Sequence, residues 1–224
     1  MSVAVVTGGS RGLGLALSRA LCARGFTVVV DGRDAAALAT AARGLPAIAV
    51  VPGDVSDPAH RMRLLDAAGE SIDLLVNNAS ALGPSPMPPL ARYPLGALRE
   101  VYEVNVFAPL GLLQEALPRL APGATVVNVS SDAAVEPFPG WGGYGSAKAA
   151  LEQLTAVFAA EHPALRVYTV DPGDMRTQMH QDAFPGEDIS DRPPPQESVP
   201  GLLALLDRGL PSGRYRTAEL RVPA

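Results

Sequence analysis

The chain has 224 residues, 47% of them hydrophobic, enough for a substantial buried core in one large domain or two small ones. Its 23 acidic and 18 basic side chains give a formal net charge of −5, which argues against a broad electrostatic surface for nucleic acid or anionic lipid and points to a small-molecule partner. The single cysteine, Cys22, has no second cysteine to pair with, so a disulfide framework is excluded.

The opening MSVAVVTGG lacks the basic region and long apolar run of a signal peptide, and no stretch approaches the length of a bilayer span; a cytoplasmic protein without a membrane partner is expected. Short β-branched runs then alternate with longer Ala/Leu/Arg segments. Strands are predicted at 3–6, 27–30, 47–51, 73–76, 125–129 and 166–170, and helices at 13–24, 35–43, 59–68, 95–117 and 144–161. Strands that do not alternate are buried on both faces, and helix-sized connections between them imply a parallel sheet. The expectation is a Rossmann-type doubly wound α/β fold with helices on both faces, one domain over residues 1–224. Residues 178–200 are rich in Pro, Asp and Glu, and a substrate-covering lid with short helical pieces is expected there; a poorly ordered surface excursion is the plainer alternative.

The first strand runs directly into TGGSRGLG, residues 7–14, and then into an amphipathic helix. Gly8 can take a backbone conformation barred to other residues, Gly12 leaves room for a pyrophosphate, and Gly14 lets helix and strand pack closely. Ser10, Arg11 and Leu13 fill the loop between them, and the helix start presents free N–H groups to an anion. With Thr7, Gly8, Gly12 and Gly14 in this spacing, the chain resembles the short-chain dehydrogenase/reductase family over about residues 3–177, with a divergent, shortened C-terminus.

The second strand ends as VVVDGRD, where the adenosine ribose is expected. Gly32 stands where NAD-preferring members of the family carry Asp, and Arg33 follows it. Arg11 approaches from the glycine loop, and two arginines favour a 2′-phosphate, hence NADP(H) over NAD(H). Asp31 complicates the choice, because its carboxylate would repel a phosphate if turned into the pocket. Asp54 and Val55 resemble the family's adenine contacts. Asn77, Asn78, Ala79 and Ser80 resemble its NNAG motif, with Ser80 in place of the last Gly, and Asn78 and Ala79 are expected beside the cofactor.

Tyr144 and Lys148 lie four residues apart at the start of a predicted helix and so project from nearly the same face. Ser131 precedes Tyr144 by thirteen residues and follows an apolar strand, at the carboxyl end where such sheets bind ligands. That spacing matches the family's Ser-Tyr-Lys set, and Asn105 in EVNVFAP matches its fourth catalytic position. A free tyrosine titrates near pH 10, so Tyr144 needs help from Lys148 and the oxidised nicotinamide to act as acid/base. Ser131 would hold the substrate oxygen, and Lys148 the nicotinamide ribose. Asn105 would anchor a water that refills the proton, or kink its helix. The segment DPGDMRT resembles the loop that closes over the nicotinamide: Pro172 and Gly173 set the turn, Met175 and Thr177 bind the carboxamide, and the resemblance implies pro-S hydride transfer.

Phe138, Trp141 and Met179, with Ser131 and Tyr144, are candidates to line the substrate pocket, although Trp141 would equally suit a subunit contact. His60, His162 and His180 have no ligand spacing, so no metal site is expected. There is no Gly-x-Ser-x-Gly elbow around Ser131, which sets aside a hydrolase. The reading is an NADP(H)-dependent oxidoreductase moving hydride between nicotinamide and a carbonyl or alcohol, with ketone or aldehyde reduction favoured. The alternatives are a catalytically silent NADP(H)-binding regulator or scaffold, and a non-redox lyase or isomerase using the same tyrosine. The resemblance implies a homodimer through the helices at 95–117 and 144–161. A tetramer is possible in this family, but SGRYRTAELRVPA at 212–224 in place of its glycine-rich final strand weakens that case.

Overall fold

The computed structural model describes residues 2–45 and 47–220. Among the described residues seven parallel strands form one sheet in the order β3-β2-β1-β4-β5-β6-β7. They are β1 (Val3–Val6), β2 (Thr27–Gly32), β3 (Ile48–Pro52), β4 (Ile72–Asn77), β5 (Leu120–Val129), β6 (Arg166–Asp171) and β7 (Gly213–Arg216). The helices are α1 (Gly12–Ala23), α2 (Ala35–Ala41), α3 (Pro58–Ala68), α4 (Leu95–Tyr102), α5 (Ala108–Ala116), α6 (Gly142–Glu161), α7 (Gln178–Ala183), α8 (Val199–Arg208) and α9 (Thr217–Leu220). The doubly wound α/β fold is therefore as expected.

The pleat sends alternate residues to opposite faces. Ala4, Val6, Val28, Val30, Leu74 and Val76 pack with α1, α8 and α9, whereas Val5, Val29, Leu75 and Val126 pack with α3, α5 and α6. Both faces are covered, which is why these strands read as unbroken apolar runs. Each fully buried Val or Leu contributes roughly 1.5–3 kcal/mol. Asp57 caps α3 by accepting from Ala59 N–H, with Pro58 in the first turn where a missing N–H costs nothing.

Two elements depart from expectation, the long helical region and the tail. The helical region at 95–117 is broken by a π-helical turn, Glu103–Phe107, with Asn105 at its centre. The segment from 178 carries short helical pieces as expected, α7 and a 3-10 turn, Pro195–Glu197, that leads into α8. The tail does supply a final strand: β7 pairs in parallel with β6, Val170 opposite Tyr215. Residues 221–224 of that tail lie outside the described residues. Among the described residues no helix is long and apolar enough to cross a membrane.

Candidate active site

The chain order reverses between β1 and β4, so the loops leaving these neighbours part at the carboxyl edge of the sheet. A cleft of about 1290 Å³ opens there. The glycine loop forms its floor. Gly8 takes φ +69°, and a Cβ on Gly14 would stand 2.4 Å from the Gly8 carbonyl oxygen, so neither position admits a side chain. The start of α1 has no side-chain cap and no acidic residue in its first turn, which leaves its N–H groups for an anion.

Asn78 braces this loop, donating from Nδ2 to the Thr7 carbonyl at 2.7 Å, while Thr7 Oγ1 accepts from the N–H groups of Asn78 and Ala79, both at 2.9 Å. Ser10, Arg11, Gly12 and Leu13 line the cleft, and Gly14 lies just behind them. Arg33, Asp54 and Val55 line one end. Asp54 accepts from Ser56 N–H at 3.0 Å and Ser56 Oγ at 2.7 Å. Burial pushes its carboxyl up, but these bonds, with the nearby Arg33 guanidinium, outweigh burial and hold it below the ordinary value. Asp31 is only 1% exposed and turns beneath the loop, where its Oδ1 accepts from Gly8 N–H at 2.7 Å.

At the other end Pro172, Gly173, Met175 and Thr177 line the cleft; the Thr177 methyl lies 3.7 Å from where a Gly12 Cβ would be, so the two loops face each other. Thr177 also caps α7, accepting from His180 N–H at 3.3 Å. Between the two ends stand Ser131, Tyr144 and Lys148. Tyr144 and Lys148, one turn apart on α6, are 8% and 2% exposed, and Lys148 Nζ lies 5.5 Å from the Tyr144 ring centroid. Lys148 Nζ donates to the Val129 carbonyl at 2.8 Å.

Burial pushes the Tyr144 phenol up to about 12, with Asp132 and Asp171 adding to the rise and hydrogen bonds with Ser80 and Ser131 opposing it. Burial also draws Lys148 down to about 8, against the opposing pull of Glu152. Ser131 Oγ donates to Asp132 Oδ1 at 2.8 Å and accepts from Ala133 N–H at 3.2 Å, opening a 3-10 turn.

Asn105 is fully buried and does not line the cleft. Its Oδ1 accepts from Ala81 N–H at 2.8 Å and from Ser80 Oγ at 3.1 Å, and its Nδ2 donates to the Ala81 carbonyl at 2.8 Å. The π-helical turn thus ties the helix to the segment that follows β4, and Ser80 stands between Asn105 and the phenol.

Trp141 and Met179 line the cleft, and Trp141 meets Tyr144 edge-on at 5.8 Å. Phe138 stands outside the lining, 39% exposed, with its ring 6.5 Å from Trp141. His180 lines the cleft from α7. Sequence reasoning missed Leu82 and Phe184, which pack with Trp141 and Met179 around Tyr144.

It also missed a charged network behind Ser131. Arg214, on β7, donates from Nε to Glu152 Oε1 at 3.0 Å, and from Nη2 to the Ser131 carbonyl at 3.2 Å and Asp171 at 3.5 Å. Ser130 Oγ donates to the same Glu152 at 2.6 Å. Its only outward sign was two arginines in a short terminal segment.

The sequence profile of the short chain dehydrogenases matches residues 2–188. The chain is 34% identical over 192 residues to a rhamnolipids biosynthesis 3-oxoacyl-[acyl-carrier-protein] reductase from Pseudomonas aeruginosa, an alignment covering 79% of this chain and 74% of that one. Its fold is similar to that of a chain from Pseudomonas syringae assigned to the short chain dehydrogenases, with TM-score 0.88 and 30% identity over 96% of this chain and 94% of the other. A Shigella flexneri chain with the same assignment, solved in complex with NADP, superposes with TM-score 0.86 at 26% identity, covering 97% of both chains.

Proposed function

The chain belongs to the short-chain dehydrogenase family and is an oxidoreductase of CH–OH and C=O groups that uses a nicotinamide cofactor; on that premise we propose that it is an NADP(H)-dependent ketone or aldehyde reductase with Tyr144 as its proton donor. The observation that carries the proposal is the shared lining of one cleft by the glycine loop, Ser131, Tyr144 and Lys148. An uncapped helix start at the glycine loop, Arg11 within that loop, Arg33 at one end of the cleft and Thr177 at the other fit a phosphorylated dinucleotide laid along it. The NADP complex of the Shigella flexneri relative supports the same choice.

Bound nicotinamide supplies the hydride. A phenol raised to about 12 stays protonated at neutral pH, the state required to donate to a carbonyl oxygen as it becomes an alkoxide. The phenol's proton ends on the product hydroxyl, and the phenolate left on Tyr144 is stabilised by the Lys148 ammonium and then reprotonated from solvent. Lys148 donates one of its three N–H groups in a hydrogen bond to the Val129 carbonyl, which leaves two donors for the ribose hydroxyls. Ser131 rotates its hydroxyl from Asp132 to the substrate oxygen, fixing the carbonyl beside the phenol and countering its developing charge. Asn105 holds the 80–81 segment that carries Ser80 to the phenol.

Trp141 and Met179, packed with Leu82 and Phe184, form the apolar part of a cover over the substrate end, and residues 178–200 act as the lid of a single domain. Exposed Leu95, Phe107 and Val157 on α4, the π-helical turn and α6 supply an apolar face for a homodimer. The test is NADPH oxidation over a panel of ketones and aldehydes, with wild type and Tyr144→Phe compared at equal NADPH saturation. Turnover reduced by three or more orders of magnitude with NADPH binding retained supports the proton donor; undiminished turnover refutes it. Tight binding without turnover on any substrate supports the silent regulator, and product formed without net cofactor oxidation supports the lyase or isomerase.

A further inference from the structure

The end of β2 carries two acids, Asp31 and Asp34, and one base, Arg33, beside the place proposed for the adenosine ribose. A carboxylate free to swing into that space would oppose a 2′-phosphate, so the fate of each acid decides what the arginines meet. Asp34 is engaged as the cap of α2, accepting from Ala36 N–H at 2.9 Å and Ala37 N–H at 3.0 Å. Asp31 follows the strand's alternation onto the face of Val29, where α3 packs. One of its oxygens takes the Gly8 N–H, and the other lies 3.1 Å from His60 Nε2.

His60 sits in the first turn of α3 and is fully buried. Its ring has nowhere to go: a Cβ on Gly53, which has φ +158°, would fall 2.2 Å from His60 Nδ1, so the ring fills the space a side chain there would need. Nδ1 is buried and makes no hydrogen bond among the described residues. With nothing to receive a proton at Nδ1, a neutral ring carries its proton on Nε2 and donates it to Asp31. Both Asp31 oxygens are then occupied. Arg11 and Arg33 line the same cleft as Asp31 and Asp34, but unlike Asp31 they form no salt bridge among the described residues.

We infer that His60 is a positioning residue for cofactor choice: its buried ring clamps the Asp31 carboxylate beneath the glycine loop, so that this carboxylate cannot swing toward a 2′-phosphate held by Arg11 and Arg33. The inference rests on the NADP(H) reading. It places the determinant on the third helix, outside the cleft lining, acting on cofactor choice only through the position of Asp31.

The experiment measures dissociation constants of NADPH and NADH by fluorescence titration at fixed ionic strength, on nucleotide-free wild type, His60→Leu, His60→Asn, His60→Gln and the double variant His60→Leu/Asp31→Asn. Leucine cannot donate to Asp31, and asparagine's amide stops short of it; both variants should lose at least tenfold of the NADPH-over-NADH preference while NADH binding changes less than about threefold. Glutamine, whose Nε2 stands where the ring's did, should keep the preference. The double variant should regain it, because the charge that needed restraint is gone. A preference unchanged in His60→Leu or His60→Asn, an equal loss of both nucleotides, or a double variant no better than its parent overturns the role of His60. A wild type that binds NADH more tightly than NADPH overturns the cofactor reading itself.

Discussion

Replacing Lys148 by methionine should abolish turnover and at the same time make the protein more stable at neutral pH. The ammonium is 2% exposed, and it titrates at about 8 rather than 10.5 because burial disfavours its charge. At about 1.4 kcal/mol per pH unit, that difference of 2.5 costs the fold about 3 kcal/mol while the lysine is charged. Methionine has a similar length and no charge, but it leaves the Val129 carbonyl without its donor, a loss of about 1 kcal/mol. The net gain is about 2 kcal/mol, or about 4–8 °C in Tm for a chain of this size. A lysine whose folded value lies below its unfolded value burdens the fold fully below the folded value, and the burden lifts as pH rises toward the unfolded one. The Tm advantage of Lys148→Met over wild type should therefore be full at pH 7 and shrink between about 8 and 10.5. Differential scanning fluorimetry of nucleotide-free protein from pH 7 to 10.5 reads it directly. A variant that melts at or below wild type at pH 7, or a gap that does not close with pH, would refute the reasoning.

Gly14→Ala forces a methyl group to within 2.4 Å of the Gly8 carbonyl oxygen and 2.5 Å of Asn78 Nδ2. It should cost about 1–3 kcal/mol in a thermal melt and weaken nucleotide binding at least tenfold in a fluorescence titration. Gly96→Ala, in α4 with nothing within 4 Å of the new Cβ, is the control and should stabilise by roughly 0.5–1 kcal/mol. Phe107→Glu with Val157→Glu should convert the proposed homodimer to monomer in light scattering after size exclusion, since both side chains are exposed apolar surface of the chain alone, at 54% and 44%.

The parts of the site that could be read from the sequence are those fixed within one element or at the end of one strand. The glycine loop is eight consecutive residues, and Tyr144 and Lys148 share a helical turn, so periodicity alone juxtaposes them. What could not be read are the pairings made across the sheet or between layers. Asp31 and His60 are 29 positions apart, Ser80 and Asn105 are 25, and Arg214 and Ser131 are 83, and nothing in the local pattern of either partner marks the other. Asn105 was legible by its position in EVNVFAP, but the π-helical turn around it arises from tertiary bonding to residues 80 and 81, which helix propensity does not encode. The last strand was hidden for another reason. An edge strand is apolar only where it touches its neighbour, and in Gly213–Arg216 that is Tyr215 against Tyr168, while the two arginines turn to carboxylates at the rim.

The reach of Arg214 makes β7 a tether for the serine loop. It links a strand only four residues long to the carbonyl of Ser131, to the acid that faces Lys148 and to an acid that acts on Tyr144. Trimming the protein after Leu210 would thus do more than shorten its sheet: Glu152 and Asp171 would lose their counter-cation, and Tyr144 and Lys148 would titrate in a more negative surrounding. A fusion partner or proteolytic nick at this rim would consequently register as an altered pH profile of turnover, some distance from the chemistry it disturbs.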